Sequence, residues 1–437
     1  MGNRKINVVT MGCSKNVVDS EYLMKQLEVG GWEVVFDSND TSARVVVINT
    51  CGFIADAKEE SIDTILSFVE AKKQHQIDKV FVMGCLSQRY REELAEEIPE
   101  VDGFFGVTDM PEILRSLNTS ISDKHLNQRH ITTPSHYAFL KISEGCSWGC
   151  SYCAIPLIRG KHVSKPIPDL VEEAQFLVNQ GVKEIMLIAQ DSTFYGKDIY
   201  GERKLPELIT ELSKVDGLEW IRVHYAYPTG FPMELLTVMR SNPKVCKYID
   251  IPFQHISTNV LKAMRRGINR DETLQFIERL RKEVPEVAIR TTLLVGHPGE
   301  SEDDFNELLE FVRVMKFDRL GVFAYSEEEG THSATLPDDV PEEVKQSRVE
   351  QIMDLQQQIS LENNRLRLGK IFRVIVDREE ADYYVGRTEF DSPEVDQEVL
   401  IAKNQSVILK SGDFVSCRIV DVADYDLYGE LVSYCIL

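Results

Sequence analysis

Three cysteines stand close together near the middle of the chain, and their spacing constrains the fold more than any other feature. Cys146, Cys150 and Cys153 form a C-x3-C-x2-C pattern within the run KISEGCSWGCSYCAIP. A cubic iron–sulfur cluster has four irons and normally takes four thiolates. A compact loop that supplies only three thiolates leaves one iron free for a donor from outside the protein. The pattern therefore predicts a [4Fe-4S] cluster with one open iron.

Other uses of three close cysteines fit the sequence less well. A zinc ribbon needs two C-x2-C pairs, and the chain contains no second pair. The opening run MGNRKINVVT enters a strand pattern without the apolar core and cleavage site of a signal peptide, so disulfides are not expected. No apolar stretch approaches the roughly 18 residues of a membrane helix. We therefore expect a cytoplasmic protein with no membrane association.

Residues 1–125 are predicted to form an α/β domain with an open parallel sheet. Three β-branched runs alternate with two helical patterns, which is typical of a parallel sheet covered by helices on both faces. The strands are expected at 5–10, 44–49 and 79–83, and the helices at about 20–27 and 57–72.

A cysteine follows each of these three strands, namely Cys13, Cys51 and Cys85. The carboxyl ends of parallel strands lie at one edge of a sheet, so the three thiols are expected to converge. Three buried structural cysteines are the alternative, since cysteine is often buried. Recurrence at the same place after three strands favours a second [4Fe-4S] cluster, again with one open iron.

Residues 132–368 are predicted to form an open, partial (β/α)6 barrel with a trailing helix. In full barrels the functional groups lie at the carboxyl ends of the strands, and the cysteine loop directly follows the first strand here. An amphipathic helix from about Glu342 to Leu368 then packs against the barrel. Ser301, with Asp304 three residues later, is expected to cap another helix. The six strands are expected at 137–142, 184–189, 220–225, 248–252, 287–295 and 320–325.

Residues 369–437 change character and are predicted to form a small antiparallel β-barrel. From Lys370 onward this segment has 7 basic and 14 acidic residues, a net charge of −7. Its strands are expected at 372–376, 383–385, 399–401, 406–409 and 414–420.

The two cysteine triads and the terminal barrel together resemble the methylthiotransferase family of radical S-adenosylmethionine (SAM) enzymes, over essentially the whole chain. The last segment corresponds to the TRAM domain of that family. The motifs that carry the resemblance are MGCSKN around Cys13, NTCGF around Cys51, GCL at Cys85, the C-x3-C-x2-C loop, IPFQH ending at His255, MRRG ending at Gly267 and GHPGE ending at Glu300. The residue before Pro298 is His297, where the family usually has an aromatic residue.

The resemblance implies replacement of a C–H bond by C–S–CH3, with SAM and two [4Fe-4S] clusters as cofactors. One cluster cleaves SAM to a 5′-deoxyadenosyl radical, which abstracts hydrogen from the substrate, and the other provides the methylthio group. Cys146, Cys150 and Cys153 would hold the first cluster, and Cys13, Cys51 and Cys85 the second. A flavodoxin-type protein is implied as the electron donor.

Two branches of the family act on different substrates. One modifies an adenosine of transfer RNA, and the other modifies the β-carbon of an aspartate in small-subunit ribosomal protein twelve. The run VVTMGCSKNVVDS resembles the second branch. The net charge of −22, from 49 basic and 71 acidic residues, repels phosphate and attracts basic partners. A terminal barrel that grips RNA needs Lys and Arg, whereas this one has twice as many acidic as basic residues, which are expected to face and attract a basic ribosomal protein.

The resemblance also suggests residues that contact SAM. Tyr152 occupies the position of an aromatic residue beside the adenine, or else packs the loop. Gln190 and Asp191, after the second barrel strand, would accept hydrogen bonds from the SAM ammonium. Arg290, with Thr292 on the fifth strand, would pair with the SAM carboxylate. Two further residues, Gln254 and its neighbour His255, would line the site, although a buried core histidine is an alternative.

Two rival functions stay open at this point. A transfer-RNA methylthiotransferase would show steep salt dependence of RNA binding. A non-catalytic ribosome-assembly factor with structural clusters would not produce 5′-deoxyadenosine from SAM. The remaining cysteines lack partners at ligand spacing and are expected to be inert, namely Cys246, Cys417 and Cys435.

Overall fold

The structure of the protein is a computed structural model that describes residues 4–38, 42–403 and 407–433. Three sheets follow one another along the chain, and the largest apolar core lies between the second sheet and its helices. The architecture is the predicted α/β arrangement with a terminal β-barrel. Within the described ranges, no helix is both long and apolar enough to cross a membrane. The limits of the three domains stay a prediction.

The N-terminal sheet has five parallel strands in the order β2-β1-β3-β4-β5. The three predicted strands are β1, β3 and β4, which lie side by side. Two short edge strands, β2 and β5, were missed by the sequence analysis. The strands are β1 (Lys5–Thr10), β2 (Glu33–Phe36), β3 (Val45–Thr50), β4 (Lys79–Gly84) and β5 (Gly103–Phe104).

Five helices pack on this sheet. The first begins at Ser14, six residues earlier than predicted, because its first turn carries the polar run Ser-Lys-Asn in place of apolar periodicity. Cys13 is its N-cap residue, so the strand–helix connection is short. The helices are α1 (Ser14–Val29), α2 (Ala55–Lys73), α3 (Cys85–Arg89), α4 (Arg91–Glu97) and α5 (Met110–Ser116).

The central sheet has six parallel strands in the sequential order β13-β12-β11-β10-β9-β6 and does not close, as predicted for a partial barrel. A two-stranded hairpin, β7 with β8, flanks the cysteine loop. The strands are β6 (Tyr137–Lys141), β7 (Ser143–Glu144), β8 (Val163–Ser164), β9 (Glu184–Ile188), β10 (Trp220–Val223), β11 (Val245–Asp250), β12 (Ala288–Val295) and β13 (Arg319–Ala324).

Eight helices accompany these strands. The predicted cap of α12 is confirmed, since Ser301 and Asp304 form a reciprocal capping box. The trailing helix packs on the last strand of the sheet. The helices are α6 (Ile155–Arg159), α7 (Ile167–Asn179), α8 (Leu205–Leu212), α9 (Glu234–Ser241), α10 (Thr258–Ala263), α11 (Arg270–Glu283), α12 (Glu302–Met315) and α13 (Glu342–Arg365).

The terminal segment forms a closed five-stranded barrel in the order β14-β15-β16-β18-β17. Its pairs are antiparallel except β16 with β18, which is parallel. The prediction of a strand at 406–409 is wrong for 407–409, which lie outside any strand, while Ser406 lies outside the described residues. The last strand was missed. The strands are β14 (Ile371–Glu379), β15 (Tyr383–Thr388), β16 (Glu398–Ala402), β17 (Phe414–Val422) and β18 (Asp426–Ser433).

The terminal barrel packs against the amino-terminal ends of the central strands. Asp391 pairs with Arg319 at the start of β13, and Asp377 contacts His136 just before β6. Asp396 accepts a hydrogen bond from Tyr248 of β11. Several of the segment's acidic side chains are therefore neutralised inside the protein. The net charge of −7 consequently overstates what this barrel presents to a partner.

Candidate active site

The first cysteine triad lies at the carboxyl ends of β1, β3 and β4, as predicted. Close approach of the three loops depends on glycine at two positions. Gly12 has a φ of +90°, and a Cβ atom there would lie 2.8 Å from the Cβ of Cys51. A Cβ on Gly52 would lie 2.6 Å from the backbone of Leu86. Side chains larger than hydrogen would therefore push the cysteine loops apart.

Buried amides and hydroxyls hold these strand ends in place. The Asn16 side-chain amide donates to the carbonyls of Met11 and Thr50 at 2.8 and 3.1 Å. Asn49 donates back to the Asn16 carbonyl at 2.9 Å. The backbone N–H of Cys51 donates to Ser61 of α2 at 3.1 Å. The triad is thus built on a hydrogen-bonded frame that joins α1, two strands and α2.

The second triad lies in the loop between the hairpin strand β7 and helix α6. The backbone N–H of Cys146 donates to the Gly160 carbonyl at 3.0 Å, which closes the loop on itself. Ser151 donates from its backbone to Met264 and accepts from Ser333, at 3.0 and 2.7 Å. These bonds anchor the loop to the segments that follow β11 and β13.

The donor atoms of both triads fit iron–sulfur clusters. Burial raises the pKa of Cys85 and Cys146 to about 11 and that of Cys153 to about 12, and burial also raises the pKa of Cys51. Iron would displace these protons, because a coordinating thiol is deprotonated. No three His, Cys, Asp or Glu side chains of the described chain group closely enough for a single ion. Cluster ligands stand further apart, because each thiolate binds a different iron.

Among the cysteines that the structure describes, none stands as a fourth ligand beside either triad. Cys246 is buried beside Trp220 in the interface with the terminal barrel, and Cys417 lies in the core of that barrel. Burial raises the pKa of both thiols. Cys435 lies outside the described residues. Three thiols at each place leave one coordination position open on a cubic cluster.

Arg159 joins the two triads. It lies six residues after Cys153, at the end of α6, and is almost completely buried. Its Nε donates to Cys85 Sγ at 3.3 Å, and Nη2 donates to the Asn16 side chain at 2.5 Å. Cys85 also packs against Ala154 and Ile158, which follow the second cysteine loop. The two triads are therefore neighbours across the domain boundary.

Carboxylates compensate the charge of Arg159. Its Nη1 donates to Glu144 at 2.9 Å and to Asp19 at 3.2 Å. Lys141 pairs with the same two carboxylates. The cations Lys141 and Arg159 keep the pKa of the Glu144 carboxyl well below its usual range, against the opposing effect of burial. Two buried cations and two partly buried carboxylates thus form an ion-pair cluster beside Cys85.

Three predicted SAM contacts lie near the second triad. Gln190 donates to Glu144 at 3.0 Å. Asp191 accepts from the Trp148 indole at 2.6 Å and from Thr193, so it orders the loop after β9. The Tyr152 hydroxyl accepts from Arg266 at 3.4 Å. A role of Gln190, Asp191 and Tyr152 in binding SAM stays a prediction.

The other predicted contacts lie in the segment after β11 and on β12. Gln254 has a left-handed φ of +71°, and its backbone N–H donates to the carbonyl of Thr292 at 2.9 Å. Arg290 pairs with Asp250 at 3.2 Å and with Asp396 of the terminal barrel at 3.4 Å. Arg290 also lines a cavity of about 520 Å³ between the two barrels. Its guanidinium is therefore already matched by two carboxylates, and its pairing with SAM stays a prediction.

His255 is a core residue with its side chain fully buried. Its Nδ1 accepts from the backbone N–H of Ser257 at 3.0 Å, and burial lowers its pKa to about 3. The neutral ring is consistent with the alternative of a structural histidine.

A cationic and aromatic group surrounds Cys150, and it was not predicted from the sequence. The Arg266 guanidinium donates to Cys150 Sγ at 3.5 Å and lies 4.2 Å from the centre of the Tyr227 ring. Tyr227 stacks on Trp148 with ring centroids 4.2 Å apart. The MRRG motif, which contains Arg266, is the sequence signal for this group.

A loop after β13 ties the N-terminal domain to the barrel. Glu328 is buried and pairs with Lys58 of α2 at 3.1 Å and with Arg89 of α3 at 2.6 Å. Arg89 also donates to the Glu329 carbonyl at 2.6 Å. These contacts hold the helices that follow Cys51 and Cys85 over the mouth of the barrel.

Comparison with protein families matches three consecutive stretches of the chain. Residues 5–106 match the uncharacterized protein family UPF0004. Residues 140–312 match the radical SAM superfamily, and residues 368–432 match the TRAM domain. The matched stretches correspond to the three sheets described above.

Similar proteins of known name cover nearly the whole chain. One from Christiangramia forsetii is called ribosomal protein uS12 methylthiotransferase RimO and is 55% identical over 426 residues, which is 98% of this chain and 94% of the relative. A protein of the same name from Bacteroides thetaiotaomicron is 53% identical over 434 residues, 99% of each chain.

Solved structures share the fold at low identity. The radical SAM methyltransferase TsrM from Kitasatospora setae, with its tryptophan substrate and a SAM analogue, has a TM-score of 0.55 and 14% identity over 73% of this chain and 72% of its own. The cobalamin-dependent radical SAM enzyme OxsB has a TM-score of 0.54 and 11% identity over 81% of this chain and 56% of its own.

Proposed function

The chain belongs to the family of ribosomal protein uS12 methylthiotransferases, and we propose that it adds a methylthio group to the β-carbon of an aspartate in that ribosomal protein. The chain is a radical SAM enzyme that transfers a sulfur-containing group. The assignment of uS12 as the substrate rests on the names of relatives that are more than half identical to this chain.

We assign one [4Fe-4S] cluster to each cysteine triad. Cys146, Cys150 and Cys153 would hold the cluster that binds SAM, and Cys13, Cys51 and Cys85 the other. When bound, the first cluster supplies the electron that cleaves the C–S bond of SAM, and the second supplies the place where the methylthio group is assembled.

The contact between Arg159 and Cys85 carries the proposal of two cooperating centres. A carbon-centred radical must receive the methylthio group before it reacts elsewhere, which requires both centres at one cavity. The Arg159 side chain extends from helix α6, which follows the second triad. Its Nε lies 3.3 Å from Cys85 Sγ of the first triad. The partly buried carboxylates Asp19 and Glu144 hold that side chain in place through ion pairs.

The residues around Cys150 would protect the same cavity from water. Arg266 and Tyr227 contact this thiol, and Trp148 stacks on Tyr227. Exclusion of water strengthens electrostatic interactions and suppresses side reactions of reactive groups. We propose that Gln190, Asp191 and Tyr152 order this side of the SAM site, and that Gln254, Thr292 and Arg290 do so from the segment after β11 and from β12.

A ribosomal protein substrate implies that the enzyme acts in the cytoplasm, and the electron would come from a flavodoxin-type donor.

The decisive experiment is anaerobic incubation of the reconstituted full-length enzyme with uS12, SAM, a sulfide source and a chemical reductant. Mass analysis of uS12 should show one methylthio group in place of a hydrogen on an aspartate. The assignment would be overturned if transfer RNA were modified while uS12 stayed unmodified.

A further inference from the structure

Lys15 connects the first cysteine triad to the rim of the barrel. It lies in the first turn of α1, two residues after Cys13, and is only 7% exposed. Its ammonium nitrogen lies 3.0 Å from the centre of the Tyr225 ring. Tyr225 follows the carboxyl end of β10, where barrel enzymes carry their functional groups. Lys15 thus brings a positive charge from the N-terminal domain into the space between the two domains.

The charge of Lys15 lacks a carboxylate partner. Within residues 4–38, 42–403 and 407–433, its ammonium forms no ion pair or hydrogen bond and contacts the Tyr225 ring instead. The other cations nearby are matched, Arg222 by Glu184 and Arg290 by Asp250. A buried charge without a partner in the chain is costly, so an anion from outside the chain, either a substrate carboxylate or the cluster assigned to the Cys13 triad, would be bound favourably here. The ammonium contacts Tyr225 at the rim of the barrel, where the substrate enters, and this favours the carboxylate.

The backbone of Tyr225, which Lys15 contacts, and that of the neighbouring strand end also have features of a binding site. Tyr225 and Gln254, at the ends of the adjacent strands β10 and β11, have left-handed φ angles of +58° and +71°. Non-glycine residues in this region are held there by their surroundings, and they cluster at functional sites. The first turn of α1 contains no acidic side chain, so the positive end of its dipole adds to the charge of Lys15.

We propose that Lys15 binds the side-chain carboxylate of the substrate aspartate. The proposal rests on the function proposed above and adds the group that recognises the target residue. An aspartate carboxylate entering a chain with a net charge of −22 needs a local cation. The β-carbon is bonded directly to that carboxylate, so an ion pair to Lys15 holds the reacting carbon next to the Cys13 loop.

The SAM carboxylate is the competing ligand for the same cation. Lys15 is placed by the first triad, two residues from Cys13, whereas SAM belongs with the second triad. This location favours the protein substrate.

The test measures binding of fluorescently labelled uS12 to the anaerobically reconstituted full-length enzyme in the presence of SAM. The enzymes are wild type, Lys15→Met and Lys15→Arg, and each is titrated with uS12 and with uS12 whose target aspartate is replaced by asparagine. Lys15→Met should weaken binding of unaltered uS12 by about tenfold and leave binding of the asparagine form unchanged. Lys15→Arg should retain most of the affinity. The methionine side chain preserves the apolar contact with Tyr225.

Three outcomes would overturn the proposal. One is equal affinity of wild type and Lys15→Met for unaltered uS12. Another is weaker SAM binding by Lys15→Met in equilibrium dialysis without uS12, which would assign Lys15 to the SAM carboxylate. If Lys15→Met does not fold, the measurement is made with the wild-type enzyme alone. Equal affinity of that enzyme for the aspartate and asparagine forms of uS12 excludes the ion pair. A failure of the proposed function is distinct, since wild-type enzyme would then leave uS12 unmodified.

Discussion

Arg159 donates a hydrogen bond to Cys85 across 3.3 Å, although Cys85 begins helix α3 beside the N-terminal sheet and Arg159 ends helix α6 beside the central sheet. The same guanidinium contacts Asn16, Asp19 and Glu144. One side chain therefore fixes the distance between the segments that carry the two cysteine triads.

Replacement of Arg159 by glutamine should destabilise the protein by about 1.5–3 kcal/mol, because it removes the charged hydrogen bonds to two partly buried carboxylates and leaves them with only Lys141 as a cation. Urea unfolding of the protein measures the change. The matched control is Arg115→Gln, whose side chain is 73% exposed and pairs with Glu112, and a change within about 0.5 kcal/mol is expected there. Equal effects of the two substitutions would show that the ion-pair cluster adds no stability.

The two triads should separate in function. Cys13→Ala should retain cleavage of SAM to 5′-deoxyadenosine but lose transfer of the methylthio group, whereas Cys150→Ala should lose both. Iron analysis of the anaerobically reconstituted proteins should give about eight irons for wild type and about four for either variant. Full methylthiolation by Cys13→Ala would remove the first triad from the reaction.

Glu328 should hold the loop that follows Cys51. Glu328→Gln leaves Lys58 and Arg89 facing each other without a carboxylate, since Glu328 is 95% buried between them. Hydrogen exchange should become faster in residues 51–60 while α11 keeps its protection. The control is Glu202→Gln, which removes an exposed partner of Lys204. Unchanged exchange at 51–60 in Glu328→Gln would contradict the role of this ion pair.

His255 should make the protein less stable in mild acid. Its pKa is about 3 in the folded chain, because the ring is buried, and about 6.5 when unfolded. As the pH falls below 6.5, the unfolded chain binds a proton that the folded chain does not. The stability that the neutral ring supplies is complete above pH 6.5 and is lost toward pH 3, by up to roughly 1.4 kcal/mol per pH unit.

Urea unfolding at pH 7 and pH 5.5 tests this dependence. His255→Asn keeps an acceptor for the Ser257 N–H and should lose less stability between the two pH values than wild type. His332→Asn, at an exposed position, is the control and should follow wild type. A His255→Asn protein with the wild-type loss would assign the acid sensitivity to other groups.

The sequence predicted the sheets well because their signals are local. The six central strands and the cysteines after β1, β3 and β4 follow from β-branched runs and their neighbours along the chain. The start of α1 was missed, since Ser14, Lys15 and Asn16 show no apolar periodicity and are ordered by contacts made after folding.

The side chains that join the domains could not be inferred in the same way. Arg159 meets Cys85 from 74 positions away, and Glu328 meets Lys58 from 270 positions away. No periodicity in the chain encodes such pairs. The carboxylates of the terminal barrel were likewise expected to face a partner, whereas Asp391 and Asp396 lie buried against Arg319 and Arg290.

The salt bridges between the terminal barrel and the central strands have an evolutionary consequence. A TRAM module grafted from a distant homologue would leave Arg319 and Arg290 without counterions unless it carried acids at the positions of Asp391 and Asp396. The two modules are therefore expected to be inherited as a matched pair, and recombination between them should succeed only among lineages that retain both aspartates.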